Sequence, residues 1–245
     1  MRRTLSACLL AALFVTLSSA QNQKPWTEWS RKDAEKMLND SPWGQTQVTT
    51  QNSQNESTIT STTASRRDDS RVTPAGQQQS GTSLSLPGSF KYRIRLLSAK
   101  PVRQAFARMV LLKQQSANES LTTQLQAFVD RAFDEYIVIA VDVETNDKQL
   151  TAFATQVFGR ATTETLKGTT YLERKDGRRL SLLDYRAPGT DGIGAKFVFQ
   201  RALDGHDFLT TEADNVRFVA EVNEKIKLNM KYKISEMMYG GKLEY

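Results

Sequence analysis

One cysteine, one histidine and three tryptophans are all that 245 residues provide of those types, and where they stand excludes several chemistries. Cys8 lies in the opening stretch MRRTLSACLLAALFVTLSSAQ. There Arg2 and Arg3 form a positive start, Leu5 to Leu17 an apolar run, and Ser18-Ser19-Ala20 a small-residue site before Gln21. That order of regions is a secretory signal peptide over residues 1–20. Cleavage after Ala20 leaves a chain with no cysteine, which rules out disulfides, thiolate catalysis and cysteine-ligated metals together. With His206 the single imidazole, zinc has almost no nitrogen ligand. The chain has no GxSxG elbow, no phosphate-binding loop and no dinucleotide fingerprint, so no cofactor is implied. No later apolar run approaches the roughly 20 residues that a membrane span needs. The expectation is an exported protein, periplasmic or secreted, without a transmembrane span once the leader is gone.

A strong charge imbalance is also missing. The formal charge is +6, and loss of Arg2 and Arg3 leaves 31 basic against 27 acidic side chains. Only the distribution of so mild an excess carries information, and an exported chain is not expected to meet nucleic acid.

What is present begins at residue 21. All three tryptophans fall within WTEWSRKDAEKMLNDSPW, residues 26 to 43. Ser30 stands at an N-cap, Asp33 three residues on completes a capping box, and Trp29 with Ala34 forms a hydrophobic staple. Trp29, Ala34, Met37 and Leu38 make one apolar stripe, and Arg31, Lys32, Glu35 and Lys36 face away from it. Pro42 forces a stop. A helix of under four turns is marginal alone in water, so this one must dock on something. The pattern PWxxWSxxDAxxxLxxSPW from Pro25 to Trp43 resembles the opening of a family of uncharacterised bacterial exported proteins. That resemblance covers about twenty residues and implies no activity and no functional residues.

Residues 45–87 are dominated by Gln, Ser, Thr and Asn and cannot bury enough apolar surface to offset ordering entropy. They read as a disordered linker with an end-to-end distance of about 35 to 40 Å, tethering the Trp-rich segment 21–44 to a domain over 88–245. In that domain Phe90, Tyr92, Ile94 and Leu96 alternate with Lys91, Arg93 and Arg95, the signature of a half-buried strand. Helices are expected at 101–116, 120–133 and 147–158. Tyr136 to Val141, apolar on both faces, reads as a central strand.

The remainder is a series of strands. Thr170 to Arg174 and Arg179 to Arg186 flank the hairpin turn Asp176-Gly177, and Ala195 to Ala202, Val216 to Val222 and Ile226 to Ile234 follow. A three-residue loop at Asn223-Glu224-Lys225 sets Val216, Phe218, Ala220 and Val222 against Tyr232, Met230, Leu228 and Ile226. A two-residue loop would oppose them to lysines, because a slip of one residue flips every side chain. The class is α+β, with about three helices early and a largely antiparallel sheet late.

Four groups of residues are candidates for function. Trp26, Trp29, Met37, Leu38 and Trp43 either dock on their own domain or anchor a partner, since tryptophan is enriched at interface hot spots. Asp142 and Glu144, two apart at the end of the central strand, share a face. Carboxylates so placed can hold a divalent metal or divide acid and base roles, with Asp147, Asp184 or Asp191 as a third member. Against that, strands routinely leave a sheet through polar residues. His206, in Asp204-Gly205-His206-Asp207, reads as a turn residue, because adjacent side chains rarely orient one another. Lys91, Arg93 and Arg95, within a run from Ser89 to Asn118 that has no acid, form a basic surface with Lys227, Lys231 and Lys233. A third basic group, Arg174, Lys175, Arg178 and Arg179, crowds the Asp-Gly turn. Such a surface suits acidic glycans, anionic headgroups or an acidic envelope protein, although lysines also guard edge strands against aggregation. The expectation is a non-enzymatic binding or structural module of the cell envelope. A metal-assisted hydrolase at Asp142 and Glu144 is the enzyme alternative, and attachment to an anionic surface through the lysine-rich sheet face is the other.

Overall fold

Ser30 begins the first helix as its sequence requires. In the computed structural model, which describes residues 24–51, 58–61, 88–114 and 118–245, Ser30 Oγ accepts from Asp33 N at 3.1 Å and Asp33 Oδ2 accepts from Ser30 N at 2.9 Å. A short 3-10 turn, Trp26–Glu28, precedes α1 (Arg31–Asn39). At the far end Ser41 Oγ donates to Met37 O at 2.6 Å, and the chain turns into β1 (Gly44–Gln51). Only glycine fits at residue 44, because a Cβ would lie 2.4 Å from the carbonyl oxygen of Leu38.

The remaining elements follow as β2 (Thr58–Ser61), β3 (Gly88–Leu96), α2 (Lys100–Lys113), α3 (Glu119–Asp130), β4 (Tyr136–Thr145), α4 (Lys148–Arg160) and α5 (Thr163–Leu166). Then come β5 (Thr170–Arg174), β6 (Arg179–Ser181), β7 (Asp184–Arg186), β8 (Ala195–Gln200), β9 (Ala202–Leu203) and β10 (His206–Asp207). The chain closes with β11 (Asn215–Glu221), β12 (Lys227–Lys233), β13 (Met238–Tyr239) and β14 (Lys242–Leu243). Two larger antiparallel sheets result, one in the order β2-β1-β3-β4-β8-β7 and one in the order β12-β11-β5-β6. The class is α+β.

The sheets face each other across one continuous core. Phe90, Tyr92 and Ile94 of β3, Ile137, Ile139 and Val141 of β4, and Phe197 and Phe199 of β8 meet Phe218, Met230 and Tyr232. Phe218 sits edge-on to Phe197 and Phe199, with ring centroids 5.3 Å and 6.2 Å away, and the Tyr232 hydroxyl donates to Ile94 O at 3.1 Å. On its other side the six-stranded sheet packs Leu97, Val138 and Ala140 against Phe106 and Phe128, from α2 and α3. Helix α4 adds Leu150, Ala154 and Phe158 to the main core. No helix among the described residues is long and apolar enough to cross a membrane.

Strand β1 corrects the expected linker boundary. Residues 44–51 pair with β3 over eight positions, from Gly44 opposite Arg95 to Gln51 opposite Gly88, and Thr58–Ser61, also within the segment read as linker, pairs with β1 as β2 of the same sheet. The opening helix is therefore fixed to the domain through β1, not held on a long tether. Composition misses this strand because polar side chains serve it: Gln47 is fully buried. Its amide donates to Lys227 O at 2.8 Å and accepts from Asn229 N at 2.9 Å, standing in for a neighbouring strand along the edge of β12. The signal peptide and most of the expected linker lie outside the described residues.

Two further differences concern the later elements. The single strand expected over 179–186 divides, with β6 pairing with β5 and β7 pairing with β8 in the other sheet. The chain changes sheets at Leu182, which is buried. Helix α5, capped by Thr162 accepting from Thr165 N, was not anticipated. The β11–β12 register agrees with the three-residue loop, since Val216, Phe218 and Ala220 stand opposite Tyr232, Met230 and Leu228.

Candidate functional site

The tryptophans are consumed largely by the fold itself. Trp26 is 7% exposed and packs on Ala107 and Val129, of α2 and α3, donating its indole N–H to Gln126 Oε1 at 3.3 Å. Trp43 is 5% exposed, donates to Glu244 O at 2.7 Å and sits edge-on to Tyr239 at 6.1 Å. Leu38 is buried. These three are thus withdrawn from the partner-binding set, because each is already desolvated by its own chain. Trp29 and Met37 remain half-buried. With Pro42, Met238 and Tyr239 they line a surface groove of about 520 Å³.

Asp142 and Glu144 do share a face, but arginines occupy them. Register places Arg93 opposite Asp142, with Arg93 Nη1 3.6 Å from Asp142 Oδ2 and Arg93 also bonded to Glu144. Arg95 Nη1 lies 3.8 Å from Asp142. The three possible additional ligands are engaged elsewhere. Asp147 caps α4, accepting from Gln149 N at 2.7 Å and Leu150 N at 2.9 Å. Asp184 accepts from Thr163 Oγ1 at 3.2 Å, and Asp191 pairs with Lys196 at 2.7 Å. Among the described residues no three His, Cys, Asp or Glu side chains come together. His206 is exposed in the β9–β10 hairpin, whose two turn residues, Asp204 and Gly205, have φ of 54° and 78°.

The basic residues separate into two populations. Arg95 is 3% exposed; it donates to Leu38 O and Asn39 Oδ1, each at 3.0 Å, and lies over the Phe106 ring. Burial pulls its pKa down to about 10, with Asp142 opposing the shift. It therefore leaves the set of anion-facing candidates: its charge closes the C-terminal end of α1, where helix carbonyls lack partners. Arg103 likewise donates to Val129 O at 3.1 Å, and Arg108 to Trp29 O. Lys91 is exposed, and Arg93 is held in the ladder with Asp142 and Glu144.

At the Asp-Gly hairpin, Arg174 bonds Asp176 at 2.6 Å, Lys175 bonds Asp214 at 2.7 Å and Arg179 bonds Glu173 at 2.5 Å. Glu173 also receives Arg217. That second guanidinium, with Arg179 adding to it, holds the Glu173 carboxyl below its ordinary range. The Lys175 ammonium does the same for Asp214, and Lys231 and Lys233 contribute at longer range.

Strand β12 keeps its lysines outside. Lys227, Lys231 and Lys233 alternate with the buried Leu228, Met230 and Tyr232, so all three share the outer face of the four-stranded sheet. Lys227 pairs with Glu221 at 3.5 Å and Lys233 with Glu236 at 2.8 Å. Lys231 stands opposite Arg217, Arg217 opposite Glu173, and Glu173 opposite Arg179, a row of charges across all four strands. Arg217 is a residue that the reading of sequence passed over, although the β11–β12 register already sets it against Lys231. A groove of about 480 Å³ opens at this row, lined by Glu173, Arg174, Lys175, Gly177, Asp214, Asn215, Arg217 and Lys231. No family model, curated protein or solved structure matches the chain, so the resemblance of its opening segment rests on Pro25 to Trp43 alone.

Proposed function

We propose that this is an exported, non-enzymatic binding module of the cell envelope, which holds an anionic polymer or surface against the outer face of its four-stranded sheet. One observation carries the reading: on that face Lys227, Lys231, Lys233, Arg217 and Arg179 are exposed, five cations against the three carboxylates that pair with them, Glu221, Glu173 and Glu236. Such an excess on a flat face draws polyanions, over a range set by the Debye length of about 8 Å at physiological salt. Export rests on the opening twenty residues.

The test is binding of the mature protein to dextran sulfate and to phosphatidylglycerol vesicles at increasing salt. The reading expects binding that weakens as salt rises and is lost when Lys227, Lys231 and Lys233 are all replaced by glutamine. Binding to neither probe, or binding indifferent to the triple variant, overturns it. The hydrolase alternative makes a separate prediction, a rise in Tm with magnesium or calcium that Asp142→Asn abolishes.

A further inference from the structure

Lys231 stands directly opposite Arg217 on the outer face of the four-stranded sheet. Lys227 O and Asn229 N are taken by Gln47, on the side away from β11. By the alternation of an antiparallel ladder Lys231 also turns its backbone outward, so it meets Arg217 in a non-hydrogen-bonded pair, where side chains approach most closely. Like charges directly opposite on a sheet are destabilising. Lys227 and Lys233 each have a carboxylate within reach. Among the described residues Lys231 has none within 4.0 Å, and Arg217 shares Glu173 with Arg179.

We infer that the groove beside this pair is a binding site for an acidic polysaccharide, with one carboxylate, sulfate or phosphate group of the chain seated between Lys231 and Arg217. This rests on the binding face proposed above and narrows it to one site and one class of ligand. Two features favour a sugar chain over a membrane surface. The groove, at about 480 Å³, lies within the range of small-ligand sites. Its wall mixes the cations with Glu173, Asp214 and Asn215, acceptors that suit sugar hydroxyls. The seated group would give Lys231 the counter-charge that Arg217 finds in Glu173.

The experiment measures affinity for dextran sulfate, polygalacturonate and uncharged dextran, alongside Tm. Lys231→Gln and Arg217→Gln should each weaken binding to an acidic polysaccharide about tenfold, the scale of one charged hydrogen bond. Lys148→Gln, the same charge change on α4, should alter it less than about twofold, as expected for a position outside the site. Lys231→Glu separates binding from folding. Opposite Arg217 it replaces repulsion with attraction, so Tm should rise by about 1–3 °C while binding disappears. Equal losses from Lys227→Gln, Lys231→Gln and Lys233→Gln would overturn the groove and leave a diffuse binding face. Binding to phosphatidylglycerol vesicles but to neither acidic polysaccharide would overturn the ligand class. Binding to no anion would remove both the groove and the face.

Discussion

Replacing Gln47 by leucine tests whether residues 44–51 are part of the folded domain. Leucine has a similar volume, so the cavity term is small and the cost falls on hydrogen bonding. The Gln47 amide serves Lys227 O and Asn229 N, two backbone groups on the edge of β12, and leucine would leave both without a partner. Each unsatisfied buried group costs about 1–3 kcal/mol, which gives about 2–6 kcal/mol in all. That is a large share of the roughly 5–15 kcal/mol that holds an ordinary domain together. At about 2–4 °C per kcal/mol for a domain of this size, Tm should fall by about 4–24 °C. Urea unfolding of wild type and Gln47→Leu, followed by tryptophan emission, measures the loss, with the midpoint moving and the slope constant. Gln47→Glu should fare no better, since it keeps the acceptor, loses the donor and buries a charge. A loss below about 0.5 kcal/mol, typical of a solvated position, would return residue 47 to a linker and refute the strand.

Tryptophan emission of the mature protein should be blue-shifted and move red in one cooperative step in urea, because Trp26 and Trp43 are buried and Trp29 half-buried; red emission in native buffer would contradict the docking of α1. Gly44→Ala should cost more than about 2 kcal/mol, since its Cβ meets the backbone of Leu38 and backbone cannot swing aside as a side chain does; an unchanged urea midpoint would refute that close approach. In acid, partners hold the carboxyls of Asp33, Asp130, Glu173 and Asp214 below their ordinary range, chiefly Ser30, Lys100, Arg217 and Lys175. The stability they contribute is present above the unfolded value of about 4 and lost as pH falls below it, so a Tm constant from pH 6 to pH 2 would refute these pairings. In alkali the reverse holds, because burial raises the phenols of Tyr92, Tyr185 and Tyr232 above the ordinary value. Their contribution is complete below about pH 10 and disappears at higher pH; tyrosinate absorbance should then rise together with unfolding, and gradual ionisation of a folded chain would refute the burial.

Periodicity disclosed the elements whose apolar residues repeat. The α1 capping box, the two-faced apolar run of β4 and the β11–β12 register follow from side chains that must be inside, and a strand with one buried face admits only one pairing. Strand β1 was hidden because its inward residues include Gln47 and Thr49, both buried, so neither composition nor alternation marks them as core. The division of residues 179–186 between two sheets was hidden for a related reason: Leu180, Leu182 and Tyr185 are all buried, and an apolar count cannot say on which sheet each one packs. For the candidate site, the sequence located Lys227, Lys231 and Lys233 on one face. The groove needed the Asp-Gly hairpin and Asp214 brought beside them, which local pattern does not encode.

The arginine-rich strand and the lysine-rich strand show why basic residues of similar spacing end differently. A guanidinium carries five donors in a rigid plane and is less strongly hydrated than an ammonium, so carbonyl oxygens at the end of a helix can replace its water. Arg95 does this at the carbonyl of Leu38, with the Asn39 side-chain amide oxygen as a second acceptor, and Arg103 at Val129, in each case with a ring beneath the guanidinium. An ammonium is a compact charge on a flexible stem and keeps its water more strongly. Lys227, Lys231 and Lys233 accordingly remain exposed on an edge strand. The anion site proposed above is therefore sought among the lysines that stay in water, at Lys231 opposite Arg217, and not among the arginines that helix ends have taken up.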